Sequence, residues 1–541
     1  MTVPLSRLRQ VVASLGIAAR NVDIRRAELA WGASVAAEWA HFVALGVFAY
    51  GHGGTTAVGI AGLVRLLPAA MIAPFASSLG DRFRRERFLL GVALLGAAAL
   101  VVSAAGALTG SRFVVFGAAA AVGVCSTLFR PALQALLPSL ARTAKDLIAA
   151  NGATSTIESL GTLLGPLAAG LLVAFADVGV VFAAGAATLL ASAALVARVS
   201  VEGHVTAPAS RAGHESSQGF RVLAEFPRAR LLVGLIAAQT FVRGCLNVLI
   251  VVAAYQVLHQ GASHVGYLMA SIGAGGLVGA LGAVSLRGER LAPPFGWALV
   301  LWGVPIMLIA PFPQVAPMVI LLAVIGAANS IEDVAGFTLL QRTVPDAVLT
   351  RVLGVTWGLA MGAVAIGSFV APAIVSLMGP RPAFLVVGAI LPLLVLVSHR
   401  RLLEIDSDVA PAPQLALIDG VALFAPLSLV AKERIASHLV LVDVVAGDLV
   451  IRAGEIGDRF YVVDDGLLTI EMGARIVRAG PGDFFGEIAL LRDVPRTATV
   501  RADTETRLYA LERDDFLAVV TGHSAANREA QAVVAGRLAS G

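Results

Sequence analysis

The sequence contains little charge, almost no cysteine and almost no lysine. Only 14% of its 541 residues are Asp, Glu, Lys or Arg, whereas 57% are hydrophobic, which is too apolar for an ordinary soluble protein. The two cysteines, Cys125 and Cys245, both lie within apolar runs, which excludes a disulfide framework and a CxxC metal site. We therefore expect a membrane protein without a metal or redox cofactor. Lysine occurs only at positions 145 and 432, against many Arg, Ala and Gly, a bias typical of a bacterial chain.

The charged residues that are present divide unevenly along the chain. Residues 1–401 contain 27 Lys and Arg against 15 Asp and Glu, whereas the chain from residue 402 onward contains 13 against 21. The arginines of the first part interrupt apolar runs, as they do in cytoplasmic loops beside anionic lipid. The basic balance therefore indicates a membrane surface as partner, and we expect no nucleic acid partner.

Apolar runs predict twelve transmembrane helices, because about 20 residues suffice to cross ~30 Å of hydrocarbon. Two pairs of similar strings indicate a six-plus-six duplication, since SLGDRF and SLRGER stand 207 residues apart, as do LQALLP and LQRTVP. The predicted spans are 27–50, 56–79, 88–109, 113–137, 148–175, 178–199, 230–258, 264–286, 292–311, 314–340, 350–377 and 382–399.

The loops between these spans predict the orientation in the membrane. An even number of crossings places both termini on one side, and the loops of that side carry nearly all Lys and Arg. Only Arg112 and Arg381 fall opposite. By the positive-inside rule both termini are cytoplasmic, in a multi-pass protein of the plasma (inner) membrane. The basic segment 1–26 lacks a signal-peptide cleavage pattern and is expected to be retained.

The loop after the second predicted span contains a motif that resembles the signature of a known protein family. It reads SSLGDRFRRERF and resembles the signature loop of the major facilitator superfamily, with Ser77 and Arg84 where that family has glycines. The likeness covers most of residues 27–400 and implies a helical bundle of two six-helix halves. A charged loop that only sets topology is the alternative. The implied cytoplasmic gate consists of Asp81, Arg82 and Arg85.

The fifth span carries a second motif of this kind, GTLLGPLAAG. Through Gly161, Gly165, Pro166 and Gly170 it resembles the antiporter-type signature of the same superfamily, which implies export. Small residues four apart also let helices approach closely. Ordinary helix packing therefore remains the alternative explanation for this motif.

Ionisable side chains within the spans predict a transport path, because such groups are costly in lipid and usually face a cavity or a relay. Glu38 and His41 share a helix face at i and i+3, and with Glu158 we expect them to include a proton-titrating group. We expect one of the arginines to pair with such a group or to contact substrate; purely structural pairing is the alternative. The candidates are Glu38, His41, Arg65, Arg130, Glu158, Arg243, Glu332 and Asp333.

The hydrophobic period changes in the last part of the chain. Short alternating runs such as LVLVDV, RFYVVDDG and LLTIEMG, separated by Gly and Asp turns, predict a β-barrel of the jelly-roll kind. Helical stretches are predicted to frame it at about 415–438 and 513–538. The acidic, proline-bearing segment before the barrel is typical of a linker.

Within the predicted barrel, FGEIALLRDVPRTATV combines features of an anion site with those of a sugar site. Gly486 allows close backbone approach, and the following helical turn presents N–H groups that favour an anion. Arg496 can add a bidentate bond to a phosphate. Glu487 beside an anion is explained if it accepts a proton from a sugar hydroxyl. A phosphate together with a sugar hydroxyl indicates a nucleotide.

These residues resemble the phosphate-binding cassette of cyclic nucleotide-binding domains, a likeness that covers about 415–540. It implies that Glu487 binds the ribose 2′-hydroxyl and Arg496 the cyclic phosphate, with a C-terminal helix covering the base. Thr497 is compatible with cAMP or cGMP as regulatory ligand; we expect cAMP. A barrel that keeps the fold and binds nothing is the alternative. The predicted site comprises Phe485, Gly486, Glu487, Ile488, Ala489, Arg496, Thr497, Ala498, Asn527 and Arg528.

The sequence as a whole predicts a polytopic α-helical membrane protein of the major facilitator fold with a C-terminal cyclic nucleotide-binding domain. The expected function is a proton-linked exporter of an amphiphilic small molecule, not an enzyme, regulated by the nucleotide. A non-transporting receptor and a lipid or lysophospholipid flippase are alternatives, and the C-terminal domain is a possible homodimer contact. The predicted domains are 1–26 (basic segment), 27–200 (first half), 201–229 (cytoplasmic linker), 230–401 (second half), 402–414 (linker) and 415–541 (nucleotide-binding domain).

Overall fold

The chain forms two compact units that divide between Leu403 and Glu404. The structure is a computed structural model. It describes residues 21–73, 84–140, 144–199, 223–283, 290–344, 346–405, 412–425, 427, 432, 435–473, 475–522 and 530–535.

The first unit is entirely helical in the part of the chain that the structure describes. Within the described residues, ten helices are long and apolar enough to cross a membrane. All but α7 of the following helices are among these ten. The helices of the unit in the described residues are α1 Val22–Ile72, α2 Arg85–Leu108, α3 Arg112–Leu140, α4 Ala144–Phe175, α5 Val178–Val196, α6 Pro227–Val252, α7 Ala262–Ala283, α8 Ala292–Ile309, α9 Val315–Thr343, α10 Asp346–Met378 and α11 Pro380–Leu403.

Helix α1 corresponds to the first two predicted spans and is interrupted where the sequence analysis separated them. Gly53 and Gly54 have non-helical backbone angles, and Gly54 has a φ of 62° with a ψ of −154°, a region that glycine adopts readily. The 51 residues of α1 therefore form two apolar segments. The predicted total of twelve crossings remains a prediction.

Helix α6 continues into a π-helical turn, Ala253–Val257, that faces α1. The Tyr255 ring stacks on Tyr50 with 4.2 Å between ring centroids. Gln256 donates from Nε2 to the Tyr50 hydroxyl at 3.0 Å. The turn thus joins a helix of the second predicted half to a helix of the first.

Glycines allow several helices of this unit to approach very closely. A Cβ on Gly165 of α4 would lie 2.7 Å from the carbonyl oxygen of Ala36 in α1, and a Cβ on Gly266 of α7 would lie 2.6 Å from the nitrogen of Gly170. The GTLLGPLAAG segment therefore packs against α1 and α7 through its small residues. The export that its resemblance implies remains a prediction.

The crossing of α7 and α9 is closer still. A Cβ on Gly275 would overlap the carbonyl oxygen of Ala323, and a Cβ on Gly326 would overlap that of Ile272. Each helix thus provides a glycine where the backbone of the other passes, so a side chain at either position would separate the pair.

The second unit contains two four-stranded antiparallel sheets, with strand orders β1-β8-β3-β6 and β2-β7-β4-β5. This arrangement confirms the predicted β-structure of the C-terminal domain. Its elements are α12 Ala412–Gly420, β1 Val440–Val444, β2 Leu449–Ile451, β3 Arg459–Asp465, β4 Leu468–Met472, β5 Arg475–Ala479, β6 Phe484–Phe485, α13 Glu487–Arg492, β7 Thr499–Ala502, β8 Thr506–Glu512 and α14 Arg513–Gly522.

An aromatic cluster holds the helices of this unit against its sheets. Phe460 of β3 is fully buried and stacks on Phe516 of α14 at 4.8 Å between ring centroids. Phe424 meets both rings edge-on. Leu490 of α13 lies in the same buried cluster, so α13, α14 and β3 share one hydrophobic core.

Candidate functional site

A cavity of about 290 Å³ lies in the second unit, near the lower end of the volumes that small-molecule sites have. One of its walls is α13 with the residues on either side of it, and a second wall is the segment that leads into β7. Eight of the residues predicted from sequence line it: Phe485, Gly486, Glu487, Ile488, Ala489, Arg496, Thr497 and Ala498.

Gly486 forms the left-handed bend from which α13 starts. Its φ is 92°, which only glycine adopts without strain. A Cβ at this position would lie 2.7 Å from Nη1 of Arg496 and 3.0 Å from the carbonyl oxygen of Arg459. Glycine is therefore required here both for the bend and for the passage of the arginine side chain.

Arg496 is buried, with 5% of its surface exposed, and protein oxygens hold its guanidinium in place. Nη1 donates to the carbonyl oxygen of Gly486 at 3.0 Å, and Nη2 donates to that of Arg459 at 2.7 Å and to Oδ1 of Asp458 at 3.3 Å. A guanidinium carries five N–H donors. Nε has no hydrogen-bond acceptor among the described residues, so Arg496 can donate to an anion in the cavity while its other nitrogens keep it oriented.

Glu487 is the first residue of α13 and is almost completely buried, with 1% of its surface exposed. It lines the same cavity as Arg496. A carboxylate accepts hydrogen bonds and donates none when ionised. An arginine and a carboxylate in one cavity can therefore bind a ligand that has both an anionic group and a hydroxyl.

Sequence reasoning missed a further wall of the cavity. Strands β4 and β5 contribute Ile470, Met472, Arg475 and Val477 to the cavity lining. Alternate residues of a strand share one face, so the period of these two strands was the signal that could have found them. The wall offers apolar surface of the kind that a purine ring can contact. Asn527 and Arg528, predicted to cap the base, lie outside the described residues.

Two side chains beside the cavity have shifted pKa values. Burial raises the pKa of the Tyr461 phenol, and the nearby charge of Asp458 adds to the effect. Tyr461 stacks on Phe485 with 5.2 Å between ring centroids. The hydrogen bond and charge of Glu512 raise the pKa of the partly exposed Arg459. Tyr461 is therefore neutral and Arg459 charged at physiological pH.

In the helical unit, two of the predicted arginines form ion pairs with two of the predicted carboxylates. Arg65 Nη2 lies 2.9 Å from Glu38 Oε1, which joins the two segments of α1. Arg130 Nη1 of α3 lies 3.0 Å from Glu158 Oε1 of α4. Arg65 also lies 5.0 Å above the ring of Phe42, within the range of a cation–π interaction. Four of the eight predicted transport-path residues thus form two ion pairs.

Two family profiles match the chain. Residues 29–293 match the Major Facilitator Superfamily and residues 441–523 match the cyclic nucleotide-binding domain. The chain is a major facilitator superfamily protein fused to a cyclic nucleotide-binding domain.

Two curated relatives match this fusion protein over a short part of its length. The potassium/sodium hyperpolarization-activated cyclic nucleotide-gated channel 3 of Homo sapiens is 45% identical over 93 residues, which are 17% of this chain and 12% of the channel. The cAMP-dependent protein kinase regulatory subunit of Schizosaccharomyces pombe is 34% identical over 103 residues, 19% of this chain and 25% of the subunit. The chain therefore spans a quarter or less of the length of these relatives.

The solved structures that are similar also match a small part of the fusion protein. The sensor domain of the transcriptional regulator DNR from Pseudomonas aeruginosa is 23% identical. The match covers 23% of this chain and 87% of that domain, with a TM-score of 0.21.

Further predicted charges of the major facilitator domain gather around the Arg130–Glu158 pair. Arg243 of α6 and Asp333 of α9 lie close enough to Glu158 for their charges to interact, and Glu332 interacts with both Arg243 and Asp333. Glu332 is buried, and Asp333 accepts a hydrogen bond from Asn329 Nδ2 at 2.9 Å. The structure thus brings charged groups from both predicted halves together.

His41 does not join this group through a hydrogen bond. Its side chain is buried against Phe182 of α5, with 5.5 Å between ring centroids. Neither ring nitrogen has a hydrogen-bond partner in the described part of the chain. Of the three predicted gate residues, Asp81 and Arg82 are outside the described residues and Arg85 is the first residue of α2. The roles assigned to these residues remain predictions.

Proposed function

We propose that the protein is a secondary active transporter whose equilibrium between conformations is set by an intracellular cyclic nucleotide. The observation that carries this proposal is the combination of a membrane domain of transporter type with the cavity in which Arg496 and Glu487 meet. The buried guanidinium supplies a directed anion contact, and the carboxylate supplies the hydroxyl acceptor that distinguishes a nucleotide from free phosphate.

The finer proposal is a proton-linked exporter of an amphiphilic small molecule that responds to cAMP. Half-buried carboxylates paired with arginines, such as Glu38 and Glu158, are groups that can exchange a proton or a substrate charge during a conformational change. With both termini in the cytoplasm, the nucleotide site faces the compartment in which cyclic nucleotides are made. Thr497 in the cavity lining is compatible with either purine, and cAMP is the proposed ligand.

Regulation of this kind requires that the nucleotide bind the two transport conformations with different affinities. A coupling free energy of about 1–3 kcal/mol would change their ratio about 5- to 150-fold. The nucleotide affinities of the two conformations must differ by the same factor, because such coupling is reciprocal.

We expect purified full-length protein in sealed vesicles to move fluorescent amphiphilic dyes when a pH gradient is imposed, at a rate that changes with saturating cAMP. Dye fluorescence measures the flux, and vesicles prepared without protein are the control. Dye-dependent cAMP binding in the absence of flux would instead identify a non-transporting receptor. If the protein binds cAMP but its rate of dye flux does not change with cAMP, the proposed regulation is ruled out.

Neutralising the two paired carboxylates separately tests the proton link. We expect Glu38→Gln or Glu158→Gln to reduce pH-driven dye flux at least tenfold, because the neutral amide cannot exchange a proton and leaves Arg65 or Arg130 without its counter-ion. The exposed Glu225→Gln is a matched control that should keep the flux of the unmodified protein. Undiminished proton coupling in both variants would remove these two groups from the mechanism.

A further inference from the structure

Asp493 ends α13, the helix that lines the nucleotide cavity, in an unusual backbone conformation. Its φ is 54° and its ψ is 47°, a left-handed conformation uncommon for residues other than glycine. Its carboxylate is 84% exposed but bonded, since Oδ1 accepts a hydrogen bond from Nη2 of Arg513 at 2.5 Å. An interaction with a residue twenty positions later thus holds the end of this helix.

Arg513 also forms hydrogen bonds with a second segment beside the cavity. Its Nη1 donates to the carbonyl oxygen of Gly457 at 3.2 Å, and its backbone N–H donates to the carbonyl oxygen of Asp458 at 2.8 Å. The side chain and the backbone of one residue therefore fix both the loop before β3 and the end of α13.

The loop held in this way touches the phosphate-binding arginine. A Cβ on Gly457 would lie 2.8 Å from Cβ of Ala489 and 3.3 Å from Nε of Arg496, which is the nitrogen without an acceptor among the described residues. The position of Gly457 thus sets the space beside the donor that a ligand anion would use. Asp458, the next residue, accepts from the same guanidinium.

Arg513 is in addition the first residue of α14. Three positions later, Phe516 stacks on Phe460 in the hydrophobic cluster that also contains Leu490 of α13. A displacement of α13 or of the Gly457 loop is therefore opposed by a polar contact at the surface and by apolar packing beneath it.

We propose that Arg513 is a positioning residue of the cyclic nucleotide site. It does not line the cavity, and it acts by tying the end of α13 at Asp493 to the Gly457 loop beside Arg496. The same bridge links the anion contact to the first turn of α14, so that ligand binding tightens this turn. The inference rests on the proposed nucleotide site and is independent of whether the membrane domain transports.

We expect Arg513→Gln in the full-length protein in detergent to weaken binding of cAMP, and of cGMP where the unmodified protein binds it, at least fivefold in calorimetry. Asp493→Asn is expected to have a similar effect, and because asparagine tolerates the left-handed conformation it keeps the test valid if Arg513→Gln does not fold. The matched control is Arg507→Gln, which removes another exposed arginine–aspartate pair of the same domain, Arg507 Nε to Asp443 Oδ1 at 3.4 Å, and should change the affinity less than twofold.

Two further measurements separate positioning from a role in stability alone. The double variant, with Arg513→Gln and Asp493→Asn together, should bind cAMP no more weakly than the single variant that has the lower affinity. Both substitutions break the same bridge, so their effects should not add. Saturating cAMP should slow amide hydrogen exchange in the first turn of α14 in the unmodified protein and have a smaller effect in both single variants at equal saturation. Affinities within twofold of the unmodified protein, or fully additive losses, would overturn the proposal. An unmodified protein that binds neither nucleotide would overturn the proposed nucleotide site itself.

Discussion

Arg496→Ala is expected to weaken cyclic nucleotide binding at least tenfold. The substitution removes the buried guanidinium that is positioned to contact the phosphate, and a hydrogen bond to a charged group contributes about 1.5–3 kcal/mol. It also leaves the carbonyl oxygens of Gly486 and Arg459 without the donors that they now have. Calorimetry of the full-length protein with cAMP and with cGMP measures the effect.

The neighbouring Arg459 offers a control of the same residue type. Its side chain is partly exposed and pairs with Glu512 at 2.8 Å, outside the cavity lining. Arg459→Ala keeps the backbone carbonyl that Arg496 uses and should alter the affinity by less than twofold. Equal affinities of the Arg496→Ala variant and the unmodified protein would contradict the assigned phosphate contact.

Gly275→Ala is expected to destabilise the membrane domain by about 1–3 kcal/mol, the cost typical of overpacking a close contact. The added methyl group would overlap the carbonyl oxygen of Ala323, so α7 and α9 would have to separate. The midpoint of unfolding in sodium dodecyl sulfate, measured on the purified protein in mixed micelles, reports this loss.

Gly234 of α6 is the matched control for this substitution, because a Cβ there has no described atom within 4 Å. Gly234→Ala should leave the midpoint unchanged or raise it slightly, since alanine is the better helix former. Similar losses at both positions would show that helix approach does not explain the glycine at 275.

The two units were predictable from the sequence because each has a strong local period. Long apolar runs predicted the helices, and alternation in segments such as RFYVVDDG predicted strands, which the structure confirms at Arg459–Asp465. The break in α1 at Gly53 and Gly54 fell between two predicted spans. The number of crossings could not be fixed in this way, because length and composition do not show where lipid begins.

The nucleotide cavity was predictable in part. Residues 485–498 form a contiguous motif, so the part of the cavity that contains Gly486, Glu487 and Arg496 could be predicted directly from the sequence. Met472 and Val477 lie on separate strands whose pairing had to be known before they could be assigned to the same cavity. The bridge from Asp493 to Arg513 is likewise a contact that only the tertiary fold creates. Sequence reasoning also named Glu38 and Arg65 as candidates without identifying them as partners, because the break in α1 lies between them.

The pairing of opposite charges within the helices also bears on how the protein responds to voltage. A potential of 100 mV acts on one elementary charge with about 2.3 kcal/mol. A movement that carries Arg65 with an ionised Glu38, or Arg130 with an ionised Glu158, transfers no net charge through that field. The membrane potential therefore does little work on such a step, and sensitivity to voltage must come from protonation of these carboxylates, from groups outside the pairs or from the transported solute.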